Sequence, residues 1–447
     1  MLRRRVVAFC TSMQPTQLAR LALPIVLSVA NIANAAPEPT SPYLPFDQMA
    51  RVLLMVEQSY VEPADRERLL DGAMRGMVSE LDPHSSYMNA DEFAEFQSDT
   101  EGQFAGIGVE VDVRDDRVTV VAPIEGSPAA KAGIVPGDQI LAVSGKPLRG
   151  SKIEKIIDLM RGAPGTSVKL LIGRKGADEP ISMEITRAIV RVASVEGKRL
   201  DQGVVYIRLK QFQENTHEEL LRVVASLRKE SEAPIDRVLL DMRNNPGGLV
   251  DQAELISDEM LSDGIIYSTR HRGQILDMVK ATAGGSLASA KIVVLVNEYS
   301  ASAAELVAGA LQDHGRATVV GALTFGKGSV QTIFELPGGA GLRLTTMRYY
   351  TPKGRAIQAQ GIDPDVLVRP AKSTETTRES DLDGHLVAEA AGPTRPGQEV
   401  VDAPPSTAPP TLRLSDIPND PSKGTDFVLG KAFEVALRTK LTAATVK

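Results

Sequence analysis

The segment Asn297–Leu306 reads N-E-Y-S-A-S-A-A-E-L, and it directly follows K-I-V-V-L-V at Lys291–Val296. The β-branched run predicts a buried strand. The apolar spacing that follows predicts a helix over Ser302–Gly315. A small Ser-Ala-Ser turn between a strand and a helix can expose a hydroxyl group beside free backbone N–H groups. The segment therefore predicts an α/β core with Ser302 as a candidate nucleophile at the start of a helix.

Strands and helices alternate on both sides of this segment. The predicted strands are Val204–Phe212, Arg237–Met242, Gly264–Ser268 and Ala317–Val320, and the predicted helices between them are Thr216–Arg228 and Val250–Leu261. Such an order favours an α/β core with largely parallel strands. A hairpin of Gln331–Leu336 and Gly341–Tyr350 follows.

The residues that precede the core have a different pattern, typical of a β-rich domain. Phe104–Val113 and Arg117–Ile124 alternate as strands, and further elements continue the pattern to Arg174. The order of these elements resembles a PDZ domain in the arrangement found in bacterial exported proteases. In such a domain, successive backbone N–H groups capture a C-terminal carboxylate, and the peptide adds as a strand to the sheet edge. The predicted carboxylate loop and groove comprise Gly106, Ile107, Gly108, Val109, Ile156 and Ile157. A purely structural β-rich module is the alternative.

Composition and charge exclude several classes of function. The 447 residues carry a formal net charge of −7, with 4% aromatic residues and no Trp, so nucleic-acid binding is not expected. Cys10 is the single cysteine, and the five histidines lack the spacing of metal ligands. We therefore expect no metal and no cofactor.

The N-terminus has the pattern of an export signal. Arginines at Arg3–Arg5 precede a short apolar core at Leu21–Ala30, and Ala33-Asn34-Ala35 fits a cleavage site. This predicts a signal peptide over residues 1–35 and a periplasmic location. An uncleaved membrane anchor is the alternative.

Residue patterns and composition predict the structure of both flanks of the core. Residues 36–98 predict a helical region with helices at Ser41–Tyr60 and Arg66–Glu80. In the segment Leu81–Met88, L-D-P-H-S-S-Y-M, His84 and Ser85 are interpreted as side chains that hold a turn. Residues 371–415, rich in Ser, Thr, Glu and Pro, predict a disordered linker. A final helix is predicted at Asp426–Lys440, within a C-terminal region of residues 416–447, and is expected to dock on this chain or on a partner subunit.

Three pieces of the core could together hydrolyse a peptide bond. Lys327 lies in a T-F-G-K-G-S loop and could take the Ser302 proton if its pKa fell from about 10.4 to roughly 7–8. Gln331 could accept a hydrogen bond from the amine without adding charge. The segment D-M-R-N-N-P-G-G-L-V ends a strand at a helix start, where the N–H groups of Gly248 and Ala303 could form an oxyanion hole. Alternatively, Ser302 caps its helix through S-x-x-E, Lys327 is a solvent-facing lysine and the glycines form an ordinary connection.

Taken together, these motifs resemble the carboxyl-terminal processing peptidases, the S41 tail-specific serine proteases. The likeness runs from about Tyr60 to about Val366 and includes Arg243–Gly248, Ser302 and Lys327 in the family's order. The resemblance implies a crotonase-like core over residues 189–370 with a PDZ domain inserted at 99–188. It also implies that Ser302 is the nucleophile, Lys327 the general base and Gln331 its orienter. Ala304 departs from the pattern, which often has a third serine there.

We therefore expect an exported serine endopeptidase that recognises protein C-terminal tails through its PDZ domain and cleaves with a Ser-Lys dyad. Its expected partners are proteins with exposed C-termini, an adaptor protein and further copies of itself, and no nucleic acid. One alternative is a non-catalytic PDZ scaffold with a degenerate peptidase core. Another is a serine hydrolase that depends on His271 or His314.

Overall fold

The computed structural model describes residues 43–114, 117–124, 126–231, 233–369, 376–389, 398–404 and 413–438. The predicted signal peptide lies outside these ranges. Within them, no helix combines the length and apolar character needed to cross a membrane.

The described part of the chain divides into two compact units, and the boundary between them in the sequence lies between Leu69 and Leu70. Helix α1 (Leu44–Ser59) belongs to the first unit, and none of its residues is buried. Helix α2 (Arg66–Ser79) begins in the first unit and ends in the second. Both helices confirm the elements predicted from the apolar spacing.

The second unit begins with elements that lead into the inserted domain. These are strand β1 (Ser86–Met88), helix α3 (Ala90–Thr100) and strand β2 (Gln103–Gly106). Asn89 and Glu92 form a reciprocal capping box at the start of α3. The prediction of one strand over Phe104–Val113 is wrong, because Gly108 adopts a φ of +74° and breaks the run in two.

The inserted domain is a small antiparallel sheet with its own core. Its elements are β3 (Val109–Arg114), β4 (Arg117–Pro123), α4 (Pro128–Lys131), β5 (Gln139–Val143), β6 (Lys146–Pro147), α5 (Ile153–Met160), β7 (Ser167–Gly173) and β8 (Ile181–Thr186). The sheet order is β3-β4-β5-β7-β8, with β6 paired to β5. Strand β9 (Ala188–Arg191) then pairs with β2, so the two ends of the insert meet. Val118, Ile140, Val168 and Ile172 form the centre of its core.

A seven-stranded sheet forms the centre of the α/β core. Its strands and helices are β10 (Val195–Arg199), β11 (Val204–Leu209), α6 (Thr216–Lys229), β12 (Arg237–Asp241), α7 (Val250–Asp258), β15 (Lys291–Val296), α8 (Ala303–Asp313), β16 (Ala317–Gly321), β19 (Val366–Arg369) and β20 (Glu399–Asp402). The order is β10-β11-β12-β15-β16-β19-β20, and every pair except β10–β11 is parallel. Parallel strands covered on both faces are uniformly apolar, as Val293, Val294 and Leu295 illustrate. The predicted α/β core is confirmed.

Helices cover both faces of this sheet. Val205 and Ile207 of β11 pack towards the cluster that contains α6, α7 and α8. Val204 and Tyr206, which alternate with them, pack towards helix α9 (Phe427–Arg438). The predicted C-terminal helix therefore docks on the sheet of its own chain.

The prediction of a disordered linker over 371–415 is wrong for the residues that the structure describes there. Glu399–Asp402 form strand β20, which pairs in parallel with β19. Glu379 is fully buried. Composition pointed to disorder because few residues in this stretch are apolar, but backbone pairing and buried polar contacts fix these segments instead.

A five-stranded antiparallel sheet lies beside the core. It comprises β1 together with β13 (Ile265–His271), β14 (Gln274–Lys280), β17 (Ser329–Glu335) and β18 (Gly341–Tyr350). The hairpin of β17 and β18 was predicted. The assignment of Gly264–Ser268 to the parallel core was wrong, because β13 pairs with β14 across a two-residue turn at Arg272-Gly273.

Candidate active site

Ser302 lies in the turn between strand β15 and helix α8. Its backbone has a φ of 55° and a ψ of −116°, in a region that residues other than glycine rarely adopt. A residue that caps a helix ordinarily has extended backbone angles, so Ser302 is not an ordinary cap. A strained strand-to-helix turn is also how other hydrolases expose a nucleophilic serine at the edge of a sheet.

The loop after β12 and the loop after β15 are joined by side-chain hydrogen bonds. Asn297 Oδ1 accepts a bond of 2.9 Å from the Asn244 N–H, and Asn297 Nδ2 donates to Asn244 Oδ1. The Ala301 N–H donates to the carbonyl oxygen of Asn245 over 2.9 Å. Ser300 Oγ donates to the carbonyl oxygen of Met242 over 2.8 Å. The two loops therefore form one rigid surface beside Ser302.

Gly247 brings the R-N-N-P-G-G segment against the Ser302 turn. Its φ is +98°, and a Cβ atom there would lie 2.8 Å from the Ala301 carbonyl oxygen and 2.8 Å from Ser302 Cβ. Only glycine permits so close an approach. Among the described hydrogen bonds, none is donated by the N–H of Gly248 or of Ala303. The two groups predicted to bind an oxyanion therefore lie on adjoining segments and have no partner within the described chain.

Glu305 connects the Ser302 turn to the Lys327 loop. Its carboxylate is fully buried and accepts hydrogen bonds from the N–H groups of Ser302 (2.8 Å), Gly326 (2.7 Å) and Lys327 (2.8 Å), and from Thr324 Oγ1. Burial raises the pKa of Glu305 to about 7, although the four hydrogen bonds oppose the change. The S-x-x-E spacing predicted only the contact with Ser302. The contacts with the lysine loop, 19 to 22 residues away, had no sequence signal.

Lys327 lies half-buried in its loop. Burial and, to a smaller extent, the nearby Arg343 guanidinium lower the pKa of Lys327 to about 8, although the carboxylates of Glu379, Asp82 and Glu305 oppose the change. A lysine with such a pKa is partly neutral near neutral pH and can accept a proton. Ser302 Oγ and Lys327 Nζ are not hydrogen-bonded to each other in the described structure. Such contacts often tighten only when substrate is bound.

Gln331 belongs to a polar cluster on the β18 side of Lys327. Its Nε2 donates to Ser329 Oγ (3.0 Å) and to Thr345 Oγ1 (3.1 Å). Thr345 Oγ1 in turn donates to Asp82 Oδ1 over 3.1 Å. Burial disfavours the Asp82 carboxylate, but hydrogen bonds from Ser85, His84 and Thr345 outweigh it and hold its pKa below the ordinary value. The structure therefore orients the Gln331 amide through Thr345.

The L-D-P-H-S-S segment does more than hold a turn. Asp82 does accept the N–H groups of His84 and Ser85, both over 2.9 Å, as a turn requires. In addition, His84 Nε2 lies 2.7 Å from Glu379 Oε2. This segment therefore contributes one carboxylate near Lys327, that of Asp82, and contacts a second, that of Glu379, through His84. No local spacing in the sequence indicated these contacts.

The histidines of the alternative hydrolase lie elsewhere. His271 Nδ1 contacts the carbonyl oxygen of Thr346, on the antiparallel sheet. His314 ends helix α8, and its Nε2 contacts the carbonyl oxygen of Ile265. Since a helix rises about 1.5 Å per residue, His314 is roughly 18 Å from Ser302 along α8. The structure brings neither histidine to Ser302 through a hydrogen bond.

A buried ionic network supports the Arg243–Gly248 segment, which we call the oxyanion loop because it carries the predicted oxyanion donor Gly248. The Arg243 guanidinium binds the Asp241 carboxylate (2.6 Å at its shortest) and the Asp426 carboxylate (2.9 Å), and all three side chains are buried. Burial disfavours the ionised forms, but the mutual attraction of the charges raises the pKa of Arg243 and lowers that of Asp241. Asp426 also accepts the N–H of Leu429 at the start of α9. The C-terminal helix is thus tied directly to the R-N-N-P-G-G segment.

The inserted domain carries an open groove of about 290 Å³. The groove is lined by Gly106, Ile107, Gly108, Val109 and Ile157, among others. A Cβ atom on Gly108 would lie 2.4 Å from Ser127 Cβ, so this position requires glycine. The described hydrogen bonds include none donated by the N–H of Ile107 or Gly108. Both groups are therefore free of protein partners within the described chain.

One predicted groove residue lies elsewhere. Ile156 is completely buried in the core of the inserted domain and does not line the groove. Its neighbour Ile157 is half-buried and does line it. Adjacent residues on a helix point about 100° apart, so the two cannot both face the groove.

The fold and the site define a serine-type protease with an α/β core and an inserted PDZ domain. Residues 203–368 match Peptidase family S41, residues 119–174 match the PDZ domain and residues 26–92 match the activating protease CtpB N-terminal domain. A carboxy-terminal-processing protease of Bartonella bacilliformis is 43% identical over 355 residues, covering 76% of this chain and 81% of the relative. The carboxy-terminal processing protease CtpA of Bacillus subtilis is 36% identical over 323 residues, covering 72% and 68%. The chain belongs to peptidase family S41 and is a carboxy-terminal processing serine protease.

Proposed function

We propose that this protein is an exported endopeptidase that captures protein C-terminal tails in the PDZ groove and cleaves peptide bonds with Ser302 and Lys327. The observation that carries the proposal is the convergence of three segments at one point. Gly247 contacts the Ser302 turn, and Glu305 holds the backbone of Ser302 and of Lys327 at once. Nucleophile, base and oxyanion donors are the three parts that acyl transfer requires.

In the proposed reaction, neutral Lys327 Nζ takes the proton of Ser302 Oγ as this oxygen bonds to the substrate carbonyl carbon. The N–H groups of Gly248 and Ala303 bind the oxygen that becomes negative. The Lys327 ammonium then gives its proton to the leaving amine, and the C–N bond breaks. Water, deprotonated by the same lysine, hydrolyses the acyl-enzyme and regenerates Ser302. In this proposal the Gln331 amide, held by Ser329 and Thr345, orients the amine without adding charge.

The dependence on pH follows from the state of Lys327. Only the neutral amine can act as base, and burial sets its pKa at about 8. The neutral fraction therefore rises as the pH increases through this value. We expect kcat/KM to rise about tenfold between pH 7 and its alkaline plateau, since each pH unit below the pKa reduces the neutral fraction about tenfold.

The dyad is tested with Ser302→Ala and Lys327→Ala on an unstructured protein with an apolar C-terminus. We expect each variant to lose at least about 10³-fold in kcat/KM, as removal of one member of a catalytic pair does elsewhere. His314→Ala serves as the control and should cleave at the parent rate. If Lys327→Ala cleaves as fast as the parent, the dyad is wrong. If the parent binds the tail without cleaving it, the non-catalytic scaffold is favoured.

Tail capture is tested separately with a Gly108→Val variant, because its side chain would occupy the space of Ser127 and close the carboxylate loop. We expect it to lose the preference for a free apolar C-terminus over an amidated one.

Cell fractionation tests export. The cells carry the Ser302→Ala protein, and identification of the proteins that co-purify with it tests for the expected adaptor and homo-oligomer. Recovery of the protein and its trapped substrates from the cytoplasm alone would contradict the periplasmic location.

A further inference from the structure

A segment beyond the S41 match clasps the Lys327 loop. The family match ends at residue 368, and residues 376–389 return to the active site. The Arg378 guanidinium donates to the carbonyl oxygen of Thr324 over 2.9 and 3.2 Å and to that of Gln360 over 3.0 Å. The Glu379 N–H donates to the carbonyl oxygen of Phe325 over 3.2 Å. The chain on the N-terminal side of Lys327 is therefore held by this segment, which we call the clasp (residues 376–389).

The Glu379 carboxylate reaches the other side of the same loop. Its Oε1 accepts a hydrogen bond of 2.7 Å from Gln358 Nε2, and Gln358 Oε1 accepts one of 3.0 Å from the Gly328 N–H. Its Oε2 lies 2.7 Å from His84 Nε2. Glu379 is fully buried. Glu379 thus connects to the backbone on both sides of the base, through its own N–H at Phe325 and through its carboxylate and Gln358 at Gly328.

Glu379 is charged in this setting. Burial disfavours its carboxylate, but the hydrogen bonds from His84 and Gln358 and the charge of Lys327 outweigh burial and hold its pKa below the ordinary value. Around Lys327, the positive group is Arg343 and the negative groups are Glu379, Asp82 and Glu305. Among the three carboxylates, Glu379 is the one with the strongest effect on the lysine. It is supplied by a segment outside the matched family region.

We propose that Glu379 is a positioning residue for the general base, and that its negative charge raises the pH range in which Lys327 loses its proton. This inference rests on the proposed role of Lys327. A buried carboxylate near an amine favours the ammonium form. Removing the charge while keeping the shape should therefore shift the protonation midpoint of Lys327 to lower pH. A residue that merely filled space would change stability or the rate plateau without moving that midpoint.

The test compares Glu379→Gln with Asp383→Asn across pH. Asp383 lies in the clasp with its side chain exposed, so the control removes the same charge from the same segment without touching the loop. For Glu379→Gln we expect the acid limb of kcat/KM to move to lower pH, so that the rate at about pH 6.5 relative to the alkaline plateau rises threefold to tenfold. Asp383→Asn should follow the parent curve. An acid limb that stays in place in Glu379→Gln overturns the inference.

A second readout does not require cleavage. In the Ser302→Ala background, the rate at which acetic anhydride labels Lys327 follows its neutral fraction, and mass spectrometry of the lysine peptide measures it at each pH. A labelling midpoint that falls in Glu379→Gln and returns towards the parent in Glu379→Asp supports the effect of the Glu379 charge on Lys327, and it does so independently of the Lys327→Ala result, which tests the dyad. An unchanged midpoint overturns it. Glu379→Ala supplies the neutral substitution if the Gln variant does not fold.

Discussion

The two halves of the proposed active site are built in different ways. The nucleophile side, which comprises Ser302 and the Asn244–Gly248 loop, grows from adjacent parallel strands. The base side, which comprises Lys327 and Gln331 with Asp82, Thr345 and Glu379, is assembled from segments far apart in the chain. The first half therefore depends on the register of one sheet, and the second on long-range polar contacts.

Sheet register explains why the nucleophile side is rigid. Asp241 and Leu295 are directly paired in the parallel strands β12 and β15, so the loops after them leave the sheet at the same edge. Asn244 and Asn297 then join the loops. On the base side, by contrast, the pairs Asp82–Thr345 and His84–Glu379 bridge 263 and 295 residues. Loss of one such contact should weaken the base side gradually, whereas the nucleophile side should fail at once when its packing is violated.

The largest loss of activity is expected for Gly247→Ala. The added methyl group would lie 2.8 Å from Ser302 Cβ and 3.0 Å from the Ala303 nitrogen, and would push the oxyanion loop away from the nucleophile. We expect kcat/KM to fall about 10²–10³-fold, as after loss of one oxyanion donor. Steady-state cleavage of a tailed substrate measures the effect. The control is Gly338→Ala, which also has a positive φ (+85°) but meets nothing within 4 Å, so it should retain parent activity.

A parent-like rate in Gly247→Ala would refute the close approach of the two loops. Equal losses in both glycine variants would instead attribute the effect to backbone strain, and the rigid nucleophile side would lose its support.

The second-largest effect, on the free energy of unfolding, is expected when the buried Arg243 on the nucleophile side loses a partner. Asp426→Ala removes one of the two carboxylates that pair with the buried Arg243. Breaking a buried ion pair costs about 3–5 kcal/mol, and we expect the lower end of this range because Asp241 remains paired. Urea denaturation measures the change in the free energy of unfolding. Asp420→Ala is the control, because Asp420 also accepts a backbone N–H in the C-terminal region, but the cation that it pairs with, Lys423, is exposed.

If Asp426→Ala costs no more than its control, then helix α9 is not tied to the oxyanion loop through Arg243. Residual activity measured well below the unfolding transition gives a further check, since the loop should be displaced even in folded molecules.

The difference between local and long-range contacts explains which residues of the site the sequence could predict. Ser302 and Gly248 could be predicted because glycines and small residues at strand–helix junctions have local signatures, and Lys327 could be predicted because glycines flank it in its loop. Glu305 was visible only as a helix cap, and its contacts with the lysine loop depend on how β16 and the following loop return to α8. Glu379 fell within the predicted disordered linker, because a buried carboxylate that is held by His84 and Gln358 produces no periodic pattern of apolar residues in the sequence. Ile156 and Ile157 were both placed in the groove because periodicity defines a helix but not its rotation against the sheet.

The smallest effect is expected for Thr345→Val on the base side. The change removes the hydroxyl that donates to Asp82 and accepts from Gln331 Nε2, while the shape of the side chain is kept. The net loss of such a bond is about 1 kcal/mol, so we expect kcat to fall about fivefold with little change in KM. Thr346→Val is the matched control: its hydroxyl contacts Thr332 one residue along the same strand, and its kcat should stay at the parent value. If both variants lose activity equally, the Thr345 hydroxyl does not orient Gln331. A loss near 10³-fold would mean that the base side is as intolerant as the nucleophile side, and the difference between the two halves would disappear.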